Sequence, residues 1–507
     1  MRVYDWVAHH AGRTPAKPAA VDLASGRRFC WAAFDDRVGR LAAGLARRHG
    51  VGRGDRVAVL AHNSTDVFEL QFACWRLGAV FVPLNWRLAA AELAPVLALA
   101  EPRVLLHGPE FADIASGCGL PGAALIAMAD GADSPYERLI KGATGRPRMP
   151  ADLALDDAAT ILFTSGTTGR PKGVIVTHGM TFWNTVNLGL PSEVDRHSVH
   201  LTSLPLFHTA GLNAYGNVVF HAGGTNVVMR QFDPALMLEH LQHRGLGLTH
   251  AYTVPAGWQF MAQDGGFARA DFGRLRIAGT GGSPCARSLL ETWAGKGVPL
   301  QQGYGMTETS PTVMLLDIDQ AVRKLGSAGL PALHTEVRLV DRDGRVIDAP
   351  DTVGEIEVRG PNVTPGYWRA PEATAAAFRD GWLRSGDAAR RDSEGFYYIV
   401  DRWKDMFISG GENVYPAEVE NVLYRLPGVA EAAVIGVPDD RWGEVGLALL
   451  VPGPGAVLDA AAVQAFCRQH LAGYKVPRHV RLRASLPRTA TGKVLKHVLR
   501  AEETSWS

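Results

Sequence analysis

Residues 164–173 read Thr-Ser-Gly-Thr-Thr-Gly-Arg-Pro-Lys-Gly, a run of hydroxyls and glycines that carries the ammonium of Lys172. Glycines let backbone N–H groups close on an anion, and the hydroxyls donate further hydrogen bonds. The chemistry is that of gripping a phosphate chain. The spacing is not that of a P-loop, which needs Gly, four residues, then Gly-Lys-Ser/Thr entering a helix. Here two residues separate Gly166 from Gly169, and Pro171 biases Arg170 away from helical geometry. A mobile surface turn is the alternative for this loop taken alone.

Four other stretches offer complementary groups. Gly303-Tyr304-Gly305-Met306-Thr307-Glu308-Thr309 sets an aromatic, a hydroxyl and a carboxylate among glycines. Tyr304 can lie against a purine, Thr307 can donate to a phosphate, and Glu308 can hold Mg²⁺ beside phosphates. A buried turn tyrosine is the other reading. Gly279-Thr280-Gly281-Gly282-Ser283-Pro284 lets a ligand approach the backbone, or is a plain strand-to-helix turn. In Gly381-Trp382-Leu383-Arg384-Ser385-Gly386-Asp387 one carboxylate can accept from both hydroxyls of a ribose, or simply stabilise its turn. Pro487-Arg488-Thr489-Ala490-Thr491-Gly492-Lys493 presents a lysine near the chain end, where a solvated surface lysine is the bland reading.

These stretches must be positioned by a framework, and the framework is α/β. Asp55–Leu60 predicts a strand, Asn63-Ser64 cap a helix through Trp75, and Ala79–Leu84 predicts the next strand. That βαβ alternation argues for a parallel sheet with helices on its faces. It continues to about Thr312. From about residue 330 to 400 a small antiparallel β subdomain is expected, with Asp343-Gly344 turning a hairpin between 337–340 and 345–347, and further strands at 355–358 and 396–400. Past residues 401–404 the pattern predicts a separate small α/β domain over 405–507. In it Pro416 opens a helix whose Val419, Val422, Leu423 and Leu426 share one face.

Composition excludes several classes. Hydrophobic residues make up 47% and charged residues 20% of the 507, as in an ordinary globular protein. The net charge of +1, from 52 basic and 51 acidic residues, gives no reason to expect nucleic acid or an anionic membrane as partner. The five cysteines form no metal-ligand spacing, which suits reduced thiols in a cytoplasm. Neither a signal peptide's apolar core nor an apolar run long enough to span a bilayer is present.

In this order the stretches resemble the adenylate-forming acyl-activating superfamily of acyl-CoA synthetases, aryl-CoA ligases, luciferases and nonribosomal-peptide adenylation domains. Besides the phosphate loop, the GYGMTE segment, the SGD turn and the terminal TGK, the block from Asp401 to Glu420, DRWKDMFISGGENVYPAEVE, carries the resemblance. It runs from residue 160 to 493. It implies a large N-terminal domain over 1–400, a hinge at 401–404 and a mobile C-terminal domain over 405–507. It further implies that a carboxylic acid attacks the α-phosphorus of ATP·Mg²⁺, giving acyl-AMP and pyrophosphate, and that coenzyme A then displaces AMP.

The resemblance assigns roles residue by residue. Thr164, Ser165, Gly166, Thr167, Thr168, Gly169 and Lys172 hold the outer phosphates, and Glu308 holds Mg²⁺. Gly281, Gly282, Ser283 and Tyr304 surround adenine, with Thr307 near the α-phosphate and Gly305 also among the nucleotide-binding residues. Asp387 and Arg402 bind the ribose, and Lys493 bridges the carboxylate and the α-phosphate. Lys404, where many relatives have Asp, is the pivot, and Ser409, Gly410, Gly411 and Glu412 line the route of the pantetheine arm. Leu204–Gly211 resembles an acid-pocket segment, with His208, Ala210, Gly211, Ala214 and Val313 as pocket residues. None of these is charged apart from the imidazole, so a medium- or long-chain fatty acid is the favoured substrate. The alternatives are an aryl or arylalkanoic acid, an acyl carrier protein in place of coenzyme A, and a catalytically retired nucleotide-binding protein. A homodimer is left open.

Overall fold

The computed structural model describes residues 1–120, 122–129, 131, 133–165, 171–402, 405–410, 412–489 and 492–503, with Ser165 and Arg402 by backbone alone. Among them lie four sheets. The expected βαβ unit is present: strands Arg56–Leu60 and Val80–Pro83 pair in parallel around helix Thr65–Leu77. They belong to a six-stranded sheet that ends on Ala158–Ser165 and its antiparallel return, Pro171–Thr177. A nine-stranded sheet carries Val199–Thr202, Thr225–Val228, His250–Thr253, Ile277–Gly281 and Leu300–Gly305 in mutually parallel register.

Helix Trp31–His49 shows why these sheets stay together. Its buried residues Trp31, Phe34, Val38, Leu41 and Leu45 recur at three- and four-residue steps, so one stripe faces the core. They join Phe68, Trp75 and Phe220 in the largest apolar cluster. Ser64 occupies the cap position before Thr65–Leu77 as expected, yet its side chain makes no capping bond.

The antiparallel subdomain is present, with one change. Glu336–Val340 pairs with Gly354–Arg359, and residues 345–347 contribute only an isolated bridge, Val340 to Val346. Strand Trp382–Arg391 joins Gly354–Arg359 to Tyr397–Arg402. Beyond it a last sheet of five strands and the helices Pro416–Leu423 and Ala460–His470 form the C-terminal unit. Pro416 does occupy the first turn of its helix; Val419 and Leu423 are fully buried beneath it, whereas Leu426 lies past its end. Among the described residues no helix is long and apolar enough to cross a membrane.

Candidate active site

The phosphate loop leaves the strand Ala158–Ser165 and returns along Pro171–Thr177, with Thr164 opposite Lys172 in the ladder. Gly166, Thr167, Thr168 and Gly169 lie outside the described residues. The return strand is a sheet edge, and residues 364–368 cover it. Ile175 N donates to Gly366 O at 3.1 Å, and Trp368 N donates to Gly173 O at 2.7 Å. This cover delivers Tyr367. Its ring lies 5.0 Å from the Lys172 ammonium, and its hydroxyl donates to Glu308 Oε1 at 2.9 Å. Burial and the adjoining Glu308 carboxylate push the phenol's pKa up. Lysine and carboxylate, 136 positions apart by number, thus meet across one side chain.

The expected nucleotide residues also converge. Strands Ile277–Gly281 and Leu300–Gly305 run side by side, with Gly281 opposite Gly303. Tyr304 Oη donates to Asp387 Oδ2 at 2.7 Å, and Asp387 sits opposite Arg402 in its own ladder. Thr307 opens the single turn Thr307–Thr309 that presents Glu308. Phenol, carboxylate and the Arg402 backbone come from three strands of two sheets.

On the acid side, Ala210–Ala214 forms a π-turn, a geometry frequent at functional sites. Only glycine fits at 211: a Cβ there would lie 2.2 Å from Pro205 O and 2.6 Å from Leu204 O. Asn63 braces the approaching loop, donating to Leu204 O and accepting from Leu206 N, each at 2.9 Å. Burial, with a smaller contribution from Arg87, pulls the His208 pKa down to about 4, so the imidazole is neutral at pH 7. Its Nε2 is buried without a partner among the described residues. Val313 does not join this group. It packs with Leu339, Ile356 and Val358 in the β subdomain, and it is Leu315 that clusters with Ala214 and Tyr215.

A cavity of about 340 Å³ opens at the carboxyl ends of the parallel strands, beside Ser203, Arg230 and Thr253. Such a position is where open α/β sheets bind ligands. Its roof is the C-terminal lysine hairpin, through Arg488, Thr489 and Gly492. Within the hairpin Thr489 N donates to Lys493 O at 2.7 Å, and Lys493 N donates to Thr489 Oγ1 at 3.0 Å. Arg488 donates to Gly492 O at 2.5 Å and pairs with Glu431. A Cβ on Gly492 would touch Val254 Cγ2 at 3.3 Å, so the hairpin is docked on the large domain.

Sequence profiles then match almost the whole of this architecture: "AMP-binding enzyme" over residues 7–368 and "AMP-binding enzyme C-terminal domain" over residues 418–493. The chain belongs to the AMP-binding enzyme family, as an acyl-CoA ligase type. It is 42% identical over 495 residues to a feruloyl-CoA synthase of Amycolatopsis sp., covering 98% of each chain. It is 40% identical over 509 residues to an indoleacetate–CoA ligase of Aromatoleum aromaticum, covering 99% of this chain and 98% of that one. A solved relative is the O-succinylbenzoate coenzyme A synthetase of Bacillus subtilis in complex with ATP and magnesium ion. It superposes with a TM-score of 0.87 at 33% identity, over 99% of this chain and 100% of that one.

In this AMP-binding enzyme the residues expected along the pantetheine route stand apart from the cavity. Ser409 ends strand Phe407–Ser409 and pairs with Gly443, Gly410 N donates to Trp442 O at 2.9 Å, and Glu412 opens the return strand. None of these three lines the cavity, and Lys404 and Gly411 lie outside the described residues. Three residues of the site are missing from the sequence reading: Tyr367, Asn63 as a loop brace, and Tyr252. The only local signal for Tyr367 is its place after Gly366 in a polar stretch. For Tyr252 it is a lone aromatic at a strand end.

Proposed function

We propose that this enzyme activates an aromatic or arylalkanoic acid as its acyl-adenylate and passes the acyl group to coenzyme A. The observation that carries the acid is the wall along Ile277–Gly281. The Tyr252 ring runs down this strand so closely that a Cβ on Gly279 would lie 2.7 Å from its Cδ2. A Cβ on Gly281 would lie 2.7 Å from its hydroxyl. Tyr215 packs edge-on to Tyr252 at 5.8 Å and is buried. The two glycines leave room for the half-buried Tyr252 ring at the strand ends, with Tyr215 edge-on behind it, and an aromatic wall of this kind favours contact with another ring over a sliding methylene chain. The acids in the names of the two curated relatives are aromatic. A straight-chain acid is the second reading, favoured by the uncharged Ala210-Gly211-Leu212 segment.

The roles follow from charge. The reaction brings a carboxylate to a polyphosphate, so the site must neutralise anions and hold them in line. Thr164 and Lys172 face the outer phosphates, Asp387 and Arg402 take the ribose hydroxyls, and Tyr304 borders the base. Glu308 suits Mg²⁺: it offers a hard oxygen, and no cluster of three acidic, His or Cys ligands exists among the described residues. A carboxylate plus substrate phosphates is the ordinary Mg²⁺ environment, and the ion neutralises phosphate charge when bound. Lys493 bridges the reacting groups from the docked hairpin. We place the pivot at Lys404 and the domain boundary at residues 401–404. Turning there exchanges the Lys493 hairpin for the loop 409–412.

Pyrophosphate exchange over an acid panel tests the acid. Cinnamate-, phenylacetate- and benzoate-type acids are expected to give the highest kcat/KM, and Tyr252→Ala is expected to shift preference toward bulkier acids. A steady gain of up to about fourfold per methylene along straight-chain acids would establish the second reading instead. The same panel with coenzyme A against a carrier protein decides the acceptor. A further expectation concerns Asp387→Ala, which removes a charged acceptor from the ribose. Affinity for AMP and for ATP is expected to fall together by about tenfold to a hundredfold in calorimetry.

A further inference from the structure

Lys172 and Glu308 are opposite charges in contact with one tyrosine, yet neither enters an ion pair with any described residue. Coulomb attraction between unlike charges a few ångströms apart is strong wherever water is partly excluded. Something must hold them apart. The side chain between them is Tyr367, whose ring face receives the ammonium at 5.0 Å and whose hydroxyl satisfies the carboxylate at 2.9 Å. A cation over a phenol face is favourable in itself.

The phenol cannot drift from this place. Tyr367 N donates to Thr374 Oγ1 at 2.9 Å. Its neighbours Gly366 and Trp368 are bonded to the return strand of the phosphate loop, and Thr364 N donates to Glu308 O at 2.8 Å. Backbone on both sides of Tyr367 is therefore tied to the segments that carry the lysine and the carboxylate.

We infer that Tyr367 is a positioning residue, a spacer that prevents Lys172 and Glu308 from neutralising one another. Lysine is thereby kept for the β- and γ-phosphates and the carboxylate for the metal. This rests on the roles given above to those two residues. A direct Lys172–Glu308 pair would have to be broken before Mg·ATP could bind, and that loss is specific to ligands that use both groups. AMP uses neither.

The test is binding, measured by calorimetry with AMP and with Mg·ATP, and by the Mg²⁺ concentration that half-saturates ATP binding. Tyr367→Leu removes ring and hydroxyl. It is expected to weaken Mg·ATP by about tenfold or more, raise the Mg²⁺ half-saturation, and leave AMP affinity unchanged. Tyr367→Phe keeps the ring over Lys172 and frees only Glu308, so it should fall between wild type and Leu. If the leucine variant does not fold, the phenylalanine variant carries the test by its Mg²⁺ dependence. Unchanged Mg·ATP binding, or an equal loss for AMP and Mg·ATP, overturns the spacer. Lys172→Ala and Glu308→Gln run in parallel: if both bind Mg·ATP like wild type, it is their assigned roles that fail.

Discussion

Lys493→Ala is expected to cut acyl-adenylate formation by about a hundred- to a thousandfold, the usual cost of removing one donor from developing anionic charge. Conversion of supplied acyl-adenylate to thioester is expected to survive largely intact. The split follows from where the lysine stands. The hairpin around Lys493 is stiffened by Arg488, which bonds Gly492 O and pairs with Glu431. It roofs the cavity at the strand ends. Ser409 and Gly410 are elsewhere in the same unit, at the end of the strand that pairs Ser409 with Gly443. On the roles proposed above, one orientation of the C-terminal unit serves one half-reaction. Pyrophosphate exchange reads the first step, and thioester release from synthetic acyl-AMP reads the second. Equal loss in both would make Lys493 a structural residue and remove the ground for alternating orientations.

Gly305→Ala is expected to be the most damaging single methyl in the nucleotide segment. The resemblance counts Gly305 among the nucleotide-binding residues. The structure gives another reason: a Cβ there would lie 1.6 Å from Pro311 O and 2.6 Å from Pro311 C. These are backbone atoms, so no rotamer change relieves the clash. The carbonyl is also held in place, accepting from Met306 N at 3.2 Å and from Thr309 Oγ1 at 2.6 Å. Overpacking typically costs about 1–3 kcal/mol where side chains can yield, and more where backbone must move. The variant is expected to melt several degrees lower or to fail to accumulate in soluble form, with AMP binding lost alongside. Wild-type melting with selective loss of AMP would show that the glycine serves the ligand instead.

The sequence by itself determined the groups and their local settings. A strand before the phosphate loop, the βαβ unit around Thr65–Leu77, and Pro416 at a helix start are local matters of periodicity and dihedral preference, so they are legible in short windows. The candidate nucleotide residues are legible for the same reason, because each lies in a contiguous run of unusual composition. What crosses the chain is not legible. Glu336–Val340 pairs along its whole length with the more distant Gly354–Arg359, while the nearer 345–347 meets it at one bridge, Val340 to Val346. Leu315 clusters on the Ala214 side while Val313 packs into the β subdomain, although residues two apart in a regular strand share a face; the register shift opposite Tyr304 and Gly305, which leaves Val313 as an extra residue in its strand, breaks that alternation. Tyr367, Asn63 and Tyr252 matter only through partners far along the chain: Glu308 for the first, Leu204 and Leu206 for the second, Gly279 and Gly281 for the third. Composition sets which charges and rings a chain has to offer. Close contact between distant segments, with backbone approaching to within a methyl's width, is a property of the packed fold, and it alone decided which of those groups meet.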